Sequence, residues 1–430
     1  MAESTILYSD PSETVRGIQQ LLISDKKKIA FFFGAGTSFA GRLLGLPYIP
    51  AIAEMTEKVE AKIINEKDYE SALTDIKTEL NETPGGFNIE TLLSNIENKI
   101  QIIGSGTLNT LDKNGFEGLY ELIKDTIRHE VSIHVGIDEC IKKRLPQYDF
   151  AKWVKAAYRK HAIEIFTTNY DYLVEIGLES LDVPYYDGFT GSYEPFFDAT
   201  SLEEMDFLSR QTKLWKIHGS LGLLESKSSY GDKIIRKGSD TDALLVYPSM
   251  LKYRNSKKMP YAAYMDRLYS FLKQDDAVLF ICGYSFGDEH INERILSALS
   301  ISSTSHVFAL YYDAVRDENG KKHLLTEDSK LAQIAAGNRR ISVLGMRNSI
   351  LGSKYKTWKL KREPDKDDSL NVSLYFDEDA PLNETDLNCE QKGNELWTGE
   401  GELCLPDFVR FVKFLKEMIP DNAREDIAYE

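Results

Sequence analysis

Short, continuously apolar runs separated by longer amphipathic stretches set the tightest limit on how this chain can fold. Residues 29–33 (IAFFF) are the first, and they end abruptly at a glycine. β-like runs, some of them interrupted by a polar residue, return at 162–171 (AIEIFTTNYD), 213–220 (KLWKIHGS), 243–248 (ALLVYP), 277–291 (AVLFICGYSFGDEHI), 306–313 (HVFALYYD) and 341–345 (ISVLG). A run of four to eight apolar residues without alternation suits a strand covered on both faces. Helical periodicity appears between several of them, notably at 251–273 and 288–299. Strands of that kind alternating with helices predict an α/β protein with a doubly wound parallel sheet.

The three lysines before IAFFF give the segment a superficial likeness to a secretory signal. Such a signal needs roughly 7–15 apolar residues near the N-terminus; this run is shorter and is preceded by a polar, acidic segment. The strand therefore opens into the loop GAGTS. Gly34 and Gly36 permit close backbone approach, so Gly34, Ala35, Gly36 and Ser38 are candidates to hold a pyrophosphate, with a tight structural turn as the alternative. The dinucleotide fingerprint G-x-G-x-x-G would need glycine at 39, where this chain has Phe39.

Residues 1–25 predict a short helix, with Val15, Ile18, Leu21 and Leu22 at helical spacing. Residues 51–160 predict a long helical insertion inside one crossover. The first 350 residues read as one nucleotide-binding domain. Residues 351–430, charged and turn-rich before an amphipathic helix at 406–419, read as an appendage for packing or oligomerisation.

The net charge of −16 argues against a nucleic-acid surface, which would be basic. No run approaches the roughly 20 residues of a membrane span. Cys140, Cys282, Cys389 and Cys404 are scattered without a C-x-x-C pair, which excludes a four-cysteine zinc ribbon and disfavours a disulfide framework. A cytoplasmic protein without a metal is expected.

Four loops follow strands: GAGTS, TTNYD, HGS and GYSFGDEH. In an open α/β sheet ligands bind at the carboxyl ends of the strands, so all four should gather at one edge. In TTNYD, Thr168, Asn169 and Asp171 are either helix-capping residues or groups that hold a ribose or carboxamide. In HGS, His218 is a structural histidine or a general base. In GYSFGDEH, Gly283, Ser285 and Asp288 form either a capped turn or the cradle for the other half of a dinucleotide.

Taken together, the motifs resemble the sirtuin family in order and spacing across residues 29–313. The resemblance implies a Rossmann-like fold, NAD+ bound by GAGTS and the later glycine loop, and chemistry at Asn169 and His218, with Asp171 orienting its loop. Residues 221–276 contain no cysteine, whereas protein-deacylating sirtuins carry a zinc module of two cysteine pairs there. With GYSFGDEH in place of a GTS-type loop, and with the helical insertion, the chain looks like bacterial sirtuin-like proteins of antiphage defence. That likeness implies an NAD+ glycohydrolase that consumes NAD+ as substrate, assembles as a homo-oligomer and works with a HerA-type hexameric ATPase. An NAD-dependent lysine deacylase and a non-catalytic NAD or ADP-ribose sensing subunit are the alternatives.

Overall fold

The computed structural model of the protein describes residues 6–83, 85–157, 159–203, 210–227, 232–238, 243–245, 259–317, 320–365, 368, 370–379 and 398–420. Among the described residues, ten strands make the main sheet. They are β1 (Tyr8–Ser9), β2 (Lys28–Phe33), β3 (Glu164–Thr167), β4 (Tyr185–Tyr186), β5 (Thr212–Lys216), β6 (Ala277–Cys282), β7 (His306–Leu310), β8 (Ile341–Leu344), β9 (Asn348–Leu351) and β10 (Lys354–Trp358). Their order in space is β1-β10-β9-β8-β7-β6-β2-β3-β5-β4. All pairings from β8 through β4 are parallel. At the other edge β9 is antiparallel to both β8 and β10. The doubly wound α/β fold expected from the sequence is thus the fold adopted. Numbered by themselves along the chain, β5-β3-β2-β6-β7-β8 read 3-2-1-4-5-6, the order of two mononucleotide-binding halves whose direction reverses between β2 and β6.

Strand alternation explains why IAFFF can be apolar throughout. Phe31 and Phe33 point to one face, with Val278, Phe280 and Cys282 of β6, while Ala30 and Phe32 point to the other, with Ala277, Leu279 and Ile281. The first face is covered by the helices Pro11–Ile23, Pro146–Ala156, Leu173–Glu179 and Phe408–Glu417. The second is covered by Tyr261–Lys273, Glu289–Ile301 and Lys330–Ala336. Each fully buried Phe or Leu contributes about 1.5–3 kcal/mol, so both faces must be covered for the strand to be stable in water.

The long connection from β2 to β3 is helical, as its periodicity predicts. Helices Ile52–Ile64, Lys67–Asn81, Ile89–Ile102 and Lys113–Val131 close around a core of their own, with Ile63, Ile76, Leu92, Phe116 and Ile123 at its centre. Leu221, Tyr170, Tyr172 and Ile49 pack against this bundle from the rest of the protein, and Glu54 accepts from the Tyr48 hydroxyl at 2.7 Å and lies 3.4 Å from Arg42.

The carboxyl-terminal part is more closely integrated than an appendage. β9 runs across position 350 and pairs with β8, and β10 pairs with β9 in turn. The helix Phe408–Glu417, capped by the Asp407 carboxylate accepting from the Arg410 N–H at 3.0 Å, lies directly on the sheet. Phe408 sits 5.3 Å from the Phe33 ring, and Phe411 6.2 Å from Phe31 and 6.4 Å from Phe280. A boundary at 350 would therefore expose the face of β2 itself. Residues 246–248 of an expected strand, 251–258 of an expected helix and 380–397 of the acidic tail lie outside the described residues. Several small strands were not expected, among them the hairpin Ala314–Asp317 with Gly320–His323, and a sheet of Phe189–Thr190, Phe196–Phe197, Leu223–Ser226 and Lys233–Arg236. Among the described residues, no helix is long and apolar enough to cross a membrane.

His306, which opens β7, gives the fold a pH dependence. Burial and the Arg340 charge push its imidazole down from the ordinary 6.5 to about 4. Its Nε2 lies 2.9 Å from the Ser342 hydroxyl and its ring 4.5 Å from Phe308. Because the folded value is depressed, the contribution to stability is complete above pH 6.5 and is lost as pH falls towards about 4. Denaturant midpoints should decline across that window, and His306→Gln should remove this part of the decline. An identical decline in both proteins would exclude His306 as its source.

Candidate functional site

The register of the sheet brings the four loops to one level. Cys282 of β6 pairs with Phe33 of β2, Phe33 with Thr167 of β3, and Thr167 with Lys216 of β5. GYSFGDEH, GAGTS, TTNYD and HGS leave the sheet from those positions, at the carboxyl edge that includes the reversal between β2 and β6. Each loop is tied to its neighbours.

GAGTS and GYSFGDEH interlock through their backbones. The Gly34 N–H donates to the Cys282 carbonyl at 2.9 Å, and the Gly36 N–H donates to the Gly283 carbonyl at 2.9 Å. A Cβ on Gly34 would lie 2.5 Å from the Gly283 oxygen, and one on Gly36 would lie 2.8 Å from the Gly283 Cα. Gly283 itself has φ +64°, and a Cβ there would lie 2.6 Å from the Thr37 nitrogen. The glycines are therefore required by the contact between the two loops, as the tight structural turn weighed from the sequence would require, and the Gly36 N–H is engaged within the protein. Ala35 and Gly36 remain exposed at this edge, as do Ser285 and Gly287 beside them.

Ser38 also departs from expectation. It is buried, its hydroxyl donates to Asp171 at 2.6 Å, and it accepts from the Asn169 amide at 2.7 Å. It braces TTNYD instead of facing outward. The Asn169 Nδ2 also donates to the Gly34 carbonyl at 3.1 Å and to the Thr37 hydroxyl at 3.0 Å. Its Oδ1 has no hydrogen-bond partner among the described residues. The second Asp171 oxygen accepts from the Leu173 N–H at 2.9 Å, at the start of the helix Leu173–Glu179. Asp171 is thus a fixed internal acceptor that orients its loop. Thr168, half-buried, continues the backbone pairing by donating its N–H to the Phe33 carbonyl at 3.1 Å.

Sequence reasoning missed Lys216, two residues before His218. Its ammonium is buried and donates to the carbonyls of Tyr170 and Asp171 and, at 2.7 Å, to Glu175. Burial holds the Glu175 carboxyl above its usual range, with Lys216 opposing the shift. A lysine inside an apolar strand and a glutamate four residues after Asp171 were the available signals. The same reasoning missed Asn292 and Tyr284. Asn292 donates to the Phe286 carbonyl at 2.8 Å and accepts from the Tyr284 hydroxyl at 3.2 Å, holding a glycine loop in which Phe286 adopts φ +59°.

His218, mostly buried, turns towards Asp288, its Nε2 lying 3.5 Å from Oδ2. Asp288 also caps the helix Glu289–Ile301, its Oδ1 accepting from the His290 and Ile291 N–H groups at 3.1 and 3.4 Å. Cys282 stands at the same edge, but burial pushes its thiol well up, which makes it a core residue and not a nucleophile. Among the described residues, no group of three or more His, Cys, Asp or Glu side chains is placed to hold a metal ion.

The arrangement pairs a rigidly held amide at the end of β3 with a carboxylate-facing imidazole beyond the end of β5, beside two exposed glycine loops. Compared with known families, residues 163–334 match the SIR2-like domain. The match includes TTNYD, HGS and GYSFGDEH and begins after GAGTS. No curated protein matches the chain.

Proposed function

SIR2-like domains use NAD+, and we propose that this chain hydrolyses it, releasing nicotinamide and ADP-ribose. The observation that carries this reading is the placement of Asn169 and His218 after the neighbouring strands β3 and β5, at the edge where the sheet reverses. Breaking the bond between C1′ of the ribose and the nicotinamide nitrogen sends the electron pair to nicotinamide, which leaves neutral, through an oxocarbenium-like transition state. No acid is needed for that departure. Asn169, with Nδ2 held by Gly34, Thr37 and Ser38, presents its Oδ1 to the ribose or to the attacking water. His218 accepts the proton that water loses as its oxygen bonds to C1′. The exposed backbone at Ala35–Gly36 and at Ser285–Gly287 offers room for the pyrophosphate.

The test is chromatography of NAD+ incubated with the purified protein, alone and with candidate partners. Nicotinamide and ADP-ribose should accumulate in equal amounts. Acyl-ADP-ribose formed only with an acylated peptide would replace hydrolysis by deacylation. Intact NAD+ under every condition would leave a binding role.

An NADase without restraint would deplete its own cell, so activity must be governed by assembly. From the motif resemblance we propose a homo-oligomer in antiphage defence, docked to a HerA-type hexameric ATPase, with the helical bundle and the carboxyl-terminal segment as the contact surfaces. Light scattering of the protein alone and with the ATPase should show a defined oligomer and a larger complex. A monomer at every concentration, indifferent to the ATPase, would sink that part.

A further inference from the structure

We infer that Asp288 is the positioning residue of His218, fixing which imidazole nitrogen carries the lone pair. The inference rests on the hydrolytic reading above, but it concerns a different residue and a different observable. Asp288 is anchored by the helix it caps: Oδ1 accepts from the His290 and Ile291 N–H groups, which leaves Oδ2 turned to His218 Nε2 at 3.5 Å. Both side chains are mostly buried, 13% and 14% exposed. The segment leading to Asp288 is itself immobilised, because Tyr284 donates to the Asp288 carbonyl at 3.1 Å and Asn292 donates to the Phe286 carbonyl. A carboxylate can only accept in a hydrogen bond, so the imidazole nitrogen that faces Oδ2 is the one that carries a proton.

The chemical consequence follows from the two distinct nitrogens of histidine. The hydrogen bond made by one sets the state of the other. With Nε2–H directed at Oδ2, the lone pair lies on Nδ1, which becomes the atom that takes the proton from water. When that proton arrives, the imidazolium is paired with the Asp288 carboxylate. The distance of 3.5 Å is slightly beyond a hydrogen bond, as unliganded catalytic pairs often are.

Asp288→Asn tests this without disturbing the helix, because asparagine caps as well as aspartate. Its Oδ1 stays in the cap, so the amide NH2 occupies the place of Oδ2 and presents a donor to Nε2. The proton must then move to Nδ1. Nitrogen-15 NMR of the His218 ring, on protein without NAD+, should report Nε2–H in the original protein and Nδ1–H in the variant. Steady-state kinetics should show kcat lower by roughly 10²-fold, within the range that a general base supplies, with KM within about twofold. Asp288→Ser, which keeps a capping hydroxyl and offers nothing to Nε2, should lower kcat similarly and leave both tautomers populated.

An unchanged tautomer in Asp288→Asn overturns the inference, as does an unchanged kcat. A raised KM at constant kcat also overturns it, because Asp288 would then be holding the ligand directly. If the original protein consumes no NAD+, the hydrolytic reading fails, and the tautomer measurement still decides whether Asp288 governs His218.

Discussion

His218→Ala should reduce NAD+ turnover by roughly 10²–10⁴-fold, the contribution of a well-placed general base, while NAD+ still binds. The side chain lies beyond the end of β5, only 13% exposed, and its one described ion-pair contact is with Asp288, which keeps its helix-capping role without it. The loss should therefore fall on kcat. Asn169→Ala should be as damaging to turnover but less clean. Its amide donates to Gly34, Thr37 and Ser38; the Gly34 carbonyl still accepts from Thr37 and the Ser38 hydroxyl still donates to Asp171, so the lost bonds should cost only about 0.5–1.5 kcal/mol of stability. Turnover by chromatography, affinity by calorimetry and a denaturant curve separate the effects. Either variant turning over NAD+ at nearly the original rate would remove that residue from the mechanism.

Gly283→Val should be the most damaging change at the glycine loops, and its meaning comes from comparison with Gly352→Val. Both glycines have positive φ, +64° and +60°, so both substitutions force a branched residue into the left-handed region. That strain costs about 1–2 kcal/mol. Gly352, in the turn between β9 and β10, has open space around a new Cβ. At Gly283 a new Cβ would lie 2.6 Å from the Thr37 nitrogen and 2.9 Å from both Gly36 carbons. Those neighbours are backbone and cannot swing aside, which adds about 1–3 kcal/mol of overpacking. Gly283→Val should therefore be less stable than Gly352→Val by that increment and should also lose NAD+ affinity. Equal stability of the two would mean that the loops separate easily.

The central sheet was legible because its strands are both short and covered on both faces, so burial shows as an unbroken apolar run in β2 and β6. β9 and β10 were not, since NSIL is only half apolar and KYKTW carries two lysines and a threonine, so neither shows an apolar run. The terminal helix was visible in its periodicity, but nothing local says that Phe408 and Phe411 reach Phe33 and Phe31. The four loops of the site could be placed together from strand order alone. Their internal roles could not, because those depend on residues far apart in the chain. Ser38 beside two glycines looks like a phosphate ligand until Asp171 is found 2.6 Å away. Lys216 looks like an ordinary polar position until the strand pairing carries it over the carbonyls of Tyr170 and Asp171. Asp288 signalled a cap and is one, but its second oxygen has a partner from another loop.

The separate core of the helical bundle has a consequence for the site. Ile63, Ile76, Leu92 and Phe116 hold the bundle together independently of the sheet, while Tyr170, Tyr172 and Leu221 belong to its packing and to the site loops at once. Those residues flank the working groups: Tyr170 follows Asn169, and Leu221 lies three positions after His218. The Tyr172 hydroxyl donates to the Leu221 carbonyl at 2.6 Å, and the Leu221 N–H donates to the Tyr170 carbonyl at 3.3 Å, so the two loops are latched together where they meet the bundle. The packing of the outer helices and the placement of the amide and the imidazole therefore share the same few residues.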